Sequence, residues 1–140
     1  MKRTPQQFVA FDVETTGLHP WHGDRIFSYS LTDWEGATTI HRLDNKSSRS
    51  NRKSLRILKD FFADTSIVKI AHNHKFDFSH VLAYEIEVPE DTIWHDTMIM
   101  SQILQNKCPS HAQDYLAELV CGYPGDIDNE VKREAKKKAA

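Results

Sequence analysis

The chain has 140 residues, with 18 Lys and Arg against 20 Asp and Glu and a formal net charge of −2. That is one domain's worth of an ordinary soluble composition, with no overall charge bias toward a polyanion. No apolar run approaches a bilayer span and MKRTPQQ carries no apolar signal region, so the sequence predicts a cytoplasmic protein without membrane contact.

The apolar run FVAF opens a strand predicted over residues 7–13, and it leads directly into FDVETTGL, Phe11 to Leu18. Asp12 and Glu14 stand two positions apart, and in a strand such a pair projects from one face. Two readings follow. Either both acids lie in water on a solvated edge strand, or they form a platform for a divalent cation, for which oxygen-only ligation suits magnesium or manganese. After the turn GLHPWHGDR, IFSYSLTDW alternates, with Ile26, Ser28 and Ser30 on one face and Phe27, Tyr29 and Leu31 on the other. EGA then connects to a third strand, TTIHRL, completing an antiparallel meander.

NKSSRSNRKS, Asn45 to Ser54, reads as a polar basic loop, with Ser54 as the cap of a helix LRILKDFFAD. Charge is uneven around it: seven basic residues and one acid, Asp44, lie between Arg42 and Lys59, whereas Glu85 to Asp96 holds five acids and no Lys or Arg. The basic loop suits either guidance of a phosphate backbone or plain solubility. SIVKIAH is predicted as an interior strand. NHKFDFSHVLAYE follows as a helix with Phe78, Val81 and Leu82 at helical spacing. TIWH is a short strand, and a helix runs from Asp96, its expected N-cap, through Leu104. Ser110 and Gln113 fit a capping box for HAQDYLAELVC, and Gly122 fits its stop. DIDNEVKREAKKKAA carries only a thin apolar stripe of Ile127, Val131 and Ala135. A meander followed by alternating helices and strands predicts a mixed α/β sheet.

Cys108 and Cys121 match no metal spacing and are expected as reduced thiols. His72, His74 and His80 fit no common zinc pattern. Trp21, Trp34 and Trp94 are expected in core or lid packing, with a stacking role open for Trp21.

Asp77 is the second carboxylate of note, in Asn73 to Asp77 at a predicted helix start, where a first-turn acid is ordinary. The joint pattern is less ordinary. DxE on the first strand, followed by NxxxD opening a later helix, resembles the first two motifs of the DEDD 3′–5′ exonucleases. AHNHKFDFSHVLAYEIEVP, followed by a short strand ending in Asp96-Thr97-Met98, is similar to the proofreading domains of family A, DNA polymerase I-type enzymes. The resemblance covers roughly residues 8 to 120.

It implies a ribonuclease-H-like fold: an antiparallel three-strand meander joined to parallel strands, with flanking helices. It implies a two-metal site for Mg²⁺ or Mn²⁺ in which Asp12 bridges both ions, Glu14 ligates one and helps orient water, and Asp77 holds the second. Thr15 and Asn73 would contact the substrate strand, Leu18 would wedge against the terminal base, and Asp96 would be structural. The expected activity is hydrolysis of single-stranded DNA 3′ ends to nucleoside monophosphates. A ribonuclease D-type action on RNA and a non-catalytic nucleic-acid-binding fragment are the alternatives.

One element of the pattern is missing. The family carries a fourth carboxylate in a late Tyr-x-x-x-Asp or His-x-x-x-x-Asp motif. Tyr123 and Asp128 are separated by PGDI, which cannot be helical, and His111 and Asp114 are wrongly spaced. The sequence therefore reads as a single exonuclease domain, residues 1–140, that is C-terminally truncated before its third motif. Its activity alone is expected to be weak or absent, and a polymerase domain is the expected neighbour in a longer protein.

Overall fold

The computed structural model describes residues 7–43 and 49–123. The chain divides into two compact units, Met1–Thr97 and Met98–Ala140. The first is built on a five-stranded mixed sheet of order β3-β2-β1-β4-β5. Its strands are β1 (Gln7–Thr15), β2 (Ile26–Asp33), β3 (Thr38–Arg42), β4 (Ile67–Ala71) and β5 (Trp94–Asp96). Pairing of β1 with β2 and of β2 with β3 is antiparallel, and that of β1 with β4 and of β4 with β5 is parallel. This is the mixed ribonuclease-H-like sheet that the sequence predicts.

The two-residue period of β1 sorts its side chains cleanly. Phe11 and Val13 are buried and Asp12 and Glu14 are exposed on the other face. Two helices cover the apolar side: α1 (Arg49–Ala63) supplies Leu58, Phe61 and Phe62, and α2 (His74–Leu82) supplies Val81. The Phe11 ring meets Phe62 edge-on at 5.2 Å and lies 5.8 Å from Phe61.

In β2 the structure departs from strict alternation. A register shift between Glu14 and Thr15 leaves Phe27 as an extra residue, so Ile26 pairs with Thr15. The bulge turns Ile26 into the core beside Tyr29 rather than onto the opposite face. The hairpin after β2 is fixed by Asp33, whose carboxylate accepts the Glu35 and Ala37 N–H groups.

Ser54 is not a cap. α1 begins at Arg49, and Ser54 is buried within it, where its carbonyl accepts the Tyr29 hydroxyl at 2.6 Å. The Arg- and Lys-rich stretch is a good helix former, and the core contact recruits that turn into the helix. The Tyr29 hydroxyl is correspondingly pushed up by burial. At the other end of α1, the buried Lys69 ammonium donates to the Asp64 and Ile67 carbonyls and lies over the Phe61 ring. Burial lowers its pKa, and the charge of Asp64 partly restores it.

Of the three tryptophans only Trp94 packs inward, against Phe62, His74 and Phe78. Contrary to expectation, Trp21 and Trp34 are exposed. Trp34 nonetheless covers Phe8, with ring centroids 5.4 Å apart.

α3 spans Thr97–Leu104, and within the second unit α4 spans Gln113–Cys121. Ala112 is the N-cap of α4, while the Ser110 hydroxyl accepts the Ala112 N–H just outside the helix. The predicted stop is observed: Gly122 takes a left-handed conformation, its N–H reaches Glu118 O, and the Tyr123 N–H reaches Ala117 O. Both cysteines are free thiols. Among the described residues, no helix is long and apolar enough to cross a membrane. The predicted amphipathic stretch at 126–140 lies outside the described residues.

Candidate active site

β1 and β4 pair only from Gln7–Ile67 to Ala10–Ile70, while β1 runs on to Thr15. Past Ala10 the β4 side of β1 is open, at the carboxyl ends of parallel strands where α/β sheets form their crevices. Asp12 and Glu14 project from this overhang. α2 enters the same opening, and the Val13 N–H on β1 donates to the carboxylate of Asp77.

That placement brings Asp77 beside Asp12, although 65 positions separate them in sequence. Asp77 is only 3% exposed. Burial, then the charge of Asp12, push its pKa up to about 7, with Asp96 adding to the rise; the amides of Val13 and of Asp77 itself pull it back. Asp12 keeps surface in water, yet the protein around its carboxyl also raises its pKa, offset by neighbouring His72. The two acids are thus held together with their charge only partly offset.

Asp96 has a structural role at the N-terminus of α2. Its carboxylate accepts the Asn73 N–H at 3.0 Å, the His74 N–H at 2.9 Å and the His74 ring Nδ1 at 2.9 Å. It therefore fixes the N-terminus of α2, the helix of Asp77, from the end of β5. Asn73 makes this possible by adopting a left-handed conformation, φ 62° and ψ 52°, which presents two successive N–H groups to one carboxylate. Local capping rules cannot reveal a cap that comes from 22 residues away.

Of the predicted substrate residues, Thr15 donates its hydroxyl to the Gly17 carbonyl at 2.8 Å, and Leu18 is 71% exposed immediately beyond. Asn73 lies across the opening at the end of β4. The loop after β1 is organised by Asp24, which the sequence does not single out. Its carboxylate accepts the Thr16 hydroxyl and the His19 N–H. A Cβ at Gly17 would run into that carboxylate, so any larger residue there would have to displace Asp24.

Residues 2–139 match the 3′–5′ exonuclease family of A-type DNA polymerases. The chain belongs to the 3′–5′ exonuclease family. It is 28% identical over 138 residues to a DNA polymerase I of Rhizobium leguminosarum, covering 82% of this chain and 13% of that polymerase. The chain thus spans about one eighth of that relative.

Among solved structures, Brucella melitensis NrnC with bound Mg²⁺ superposes with a TM-score of 0.65 at 23% identity, over 87% of this chain and 57% of NrnC. The Pol1 structure from M. smegmatis, in complex with DNA primer-template and dNTP, gives a TM-score of 0.61 at 14% identity. It covers 86% of this chain and 20% of Pol1. These likenesses establish the exonuclease fold.

The donor chemistry of the site fits a hard divalent cation. Asp12, Glu14 and Asp77 offer only oxygen, and Asp12 and Asp77 carry the electrostatic cost that a cation removes. The fit is partial, since no three His, Cys, Asp or Glu groups among the described residues form a ready-made metal cage. The histidines are otherwise engaged: His72 Nδ1 lies 2.9 Å from the Thr97 hydroxyl, and His74 bonds Asp96. In the second unit His111 bonds the Ser101 hydroxyl at 2.6 Å, and Asp114 sits exposed. Asp128 lies outside the described residues.

Proposed function

We propose that this chain carries the hydrolytic half-site of a metal-dependent 3′–5′ exonuclease acting on single-stranded DNA ends, with Asp12, Glu14 and Asp77 as its carboxylates. The observation that carries the reading is the approach of Asp77 to Asp12 at the open end of β1. A fold rarely brings two acids together, raises the pKa of both and leaves one exposed, unless a cation enters. Asp12 and Asp77 would hold the divalent ion, with Glu14 contributing from the next outward-facing position of β1. Such an ion supplies Lewis-acid stabilisation of the phosphodiester and lowers the pKa of water.

The chain's own residues do the rest. Asp77, once ionised, stays anchored by the Val13 N–H and cannot swing away from the strand. Thr15 and Asn73 flank the opening from two sides and are placed to contact the terminal nucleotides, and Leu18 projects as an apolar wedge against the last base. The sequence lacks a recognisable fourth carboxylate, so turnover by these residues alone is expected to be slow. Likeness to DNA polymerase I supports a partner polymerase domain that would deliver frayed primer ends.

A second reading, of short RNA, rests on the likeness to NrnC, which has been seen bound to pGG. The deciding experiment incubates the chain with Mg²⁺ or Mn²⁺ and matched DNA and RNA oligonucleotides labelled at the 3′ end. Release of labelled mononucleotide, lost in Asp12→Ala and Asp77→Ala, is the expected result. Preference for RNA would replace DNA as the substrate, because the 2′-hydroxyl is what separates the two. Binding without cleavage by any variant would reduce the chain to a nucleic-acid-binding module.

A further inference from the structure

The exonuclease reading leaves one buried polar group of α2 without a task. His80 is entirely buried, three residues after Asp77, with its ring 4.5 Å from that of Phe76. Both ring nitrogens face carbonyl oxygens. Nδ1 lies 3.1 Å from Phe76 O, four residues back in its own helix. Nε2 lies 3.1 Å from Gly17 O, a contact that spans 63 positions of sequence. A carbonyl can only accept, so a neutral imidazole satisfies one of these contacts and an imidazolium both. A buried polar side chain is costly unless it is bonded, and a Leu or Phe would fill the same volume without that demand. What the imidazole adds is direction.

We propose that His80 is a positioning residue that ties the Gly17 carbonyl, and with it the Thr15–Leu18 segment, to the helix bearing Asp77. The Gly17 carbonyl is the junction of this region, since it also accepts the Thr15 hydroxyl at 2.8 Å. Leu18 follows directly and is 71% exposed, so its side chain has little packing to hold it in place. Its direction must come from the backbone before it. On the far side the segment is held by Asp24, through the Thr16 hydroxyl and the His19 N–H. His80 is the matching tie on the near side. The proposal deepens the exonuclease reading and rests on it: the wedge residue and a metal carboxylate would keep one fixed relation, so that the 3′ end seated on Leu18 is also seated at Asp77.

The test compares wild type, His80→Leu, His80→Gln, Leu18→Ala and the His80→Leu/Leu18→Ala double variant on a short single-stranded oligonucleotide with saturating Mg²⁺. His80→Leu keeps the apolar bulk and removes both ring nitrogens, whereas His80→Gln keeps a donor. The expected result is a KM raised about tenfold in His80→Leu, because an untethered wedge must be ordered on binding, with kcat nearly unchanged. His80→Gln should recover most of the loss, and His80→Leu should add nothing in the Leu18→Ala background. An unchanged KM, a fall confined to kcat, or full additivity with Leu18→Ala overturns the proposal.

If wild type neither binds nor cleaves the oligonucleotide, it is the exonuclease reading that fails, and amide exchange in the free chain still decides the tie. Faster exchange at Thr16 and His19 in His80→Leu, reversed in His80→Gln, supports it. Unchanged exchange in a folded His80→Leu refutes it.

Discussion

Replacing Asp77 by Asn should stabilise the metal-free protein at neutral pH while destroying its response to magnesium. The carboxyl of Asp77 is raised from 3.8 to about 7, by burial first and by the charge of Asp12 second. The native chain therefore binds this proton more tightly than the unfolded chain does. Below about pH 4 both states are protonated and the group costs nothing. As pH rises through about 7 the native state is forced to carry a buried, repelled charge. At about 1.4 kcal/mol per pK unit the full cost is about 4 kcal/mol, or roughly 12 °C in Tm for a domain of this size. Asn keeps the shape and can still accept the Val13 N–H, but it never ionises.

Thermal unfolding in EDTA, stepped from pH 4.5 to pH 8, should show wild type losing stability across that range. Asp77→Asn should be nearly flat and should lie well above wild type at pH 8. Added Mg²⁺ should restore wild type at pH 8 and leave the variant unmoved. Parallel pH profiles for the two proteins would refute the burial-and-repulsion account. A wild-type Tm insensitive to magnesium would refute the assignment of a cation to the pair.

Two further perturbations address how the site is held. Asp96→Ala removes an acceptor shared by two backbone N–H groups and the His74 ring, and should cost about 2–4 kcal/mol. Chemical denaturation should read that loss directly, and a variant within ~0.5 kcal/mol of wild type would show that α2 needs no cap from β5. Gly17→Ala drives a methyl into the Asp24 carboxylate and should cost about 1–3 kcal/mol. Its partner Asp24→Ala should absorb most of that penalty in the double variant. Additive losses, read by the same denaturation, would mean that the clash is not with Asp24.

What could be read from the sequence was what is local. Alternation in Phe11, Asp12, Val13 and Glu14 put both acids on one face because the strand period acts over two residues. Gly122 stopped α4 because a left-handed residue ends a helix wherever it stands. Several misreadings depend on partners remote in sequence. Ile26 reaches the core through a bulge set by pairing with β1. Ser54 looks like a cap but lies inside α1, where Tyr29 claims its carbonyl, and nothing local to Asp96 shows that it reaches the N-terminus of α2. In α2 the expected stripe of Phe78, Val81 and Leu82 gives way to Asp77, His80 and Val81, with Leu82 left partly exposed. No periodicity rule predicts two polar residues inside, because their partners are the backbone of Val13 and Gly17.

That exchange of apolar for polar contacts also explains how α2 can serve a site. Hydrophobic burial is non-directional and tolerates a helix sliding or rotating by a fraction of a turn. A metal carboxylate does not tolerate it, since ligand geometry is set within a few tenths of an ångström. α2 is instead tied at three points along its length: Asp96 at its N-terminus, Asp77 to the Val13 N–H, and His80 to the Gly17 carbonyl. Each tie fixes an angle as well as a distance. The three lead to β5, β1 and the loop after β1, so sliding or rotation of α2 must break at least one. The price is three acids, Asp12, Asp77 and Asp96, close enough for the pKa of Asp77 to register the other two. A fold selected for stability alone would replace Asp77 and His80 with leucine. Their place inside an otherwise apolar layer is what the proposed role of α2 in the site would require of a helix positioned for chemistry rather than for packing.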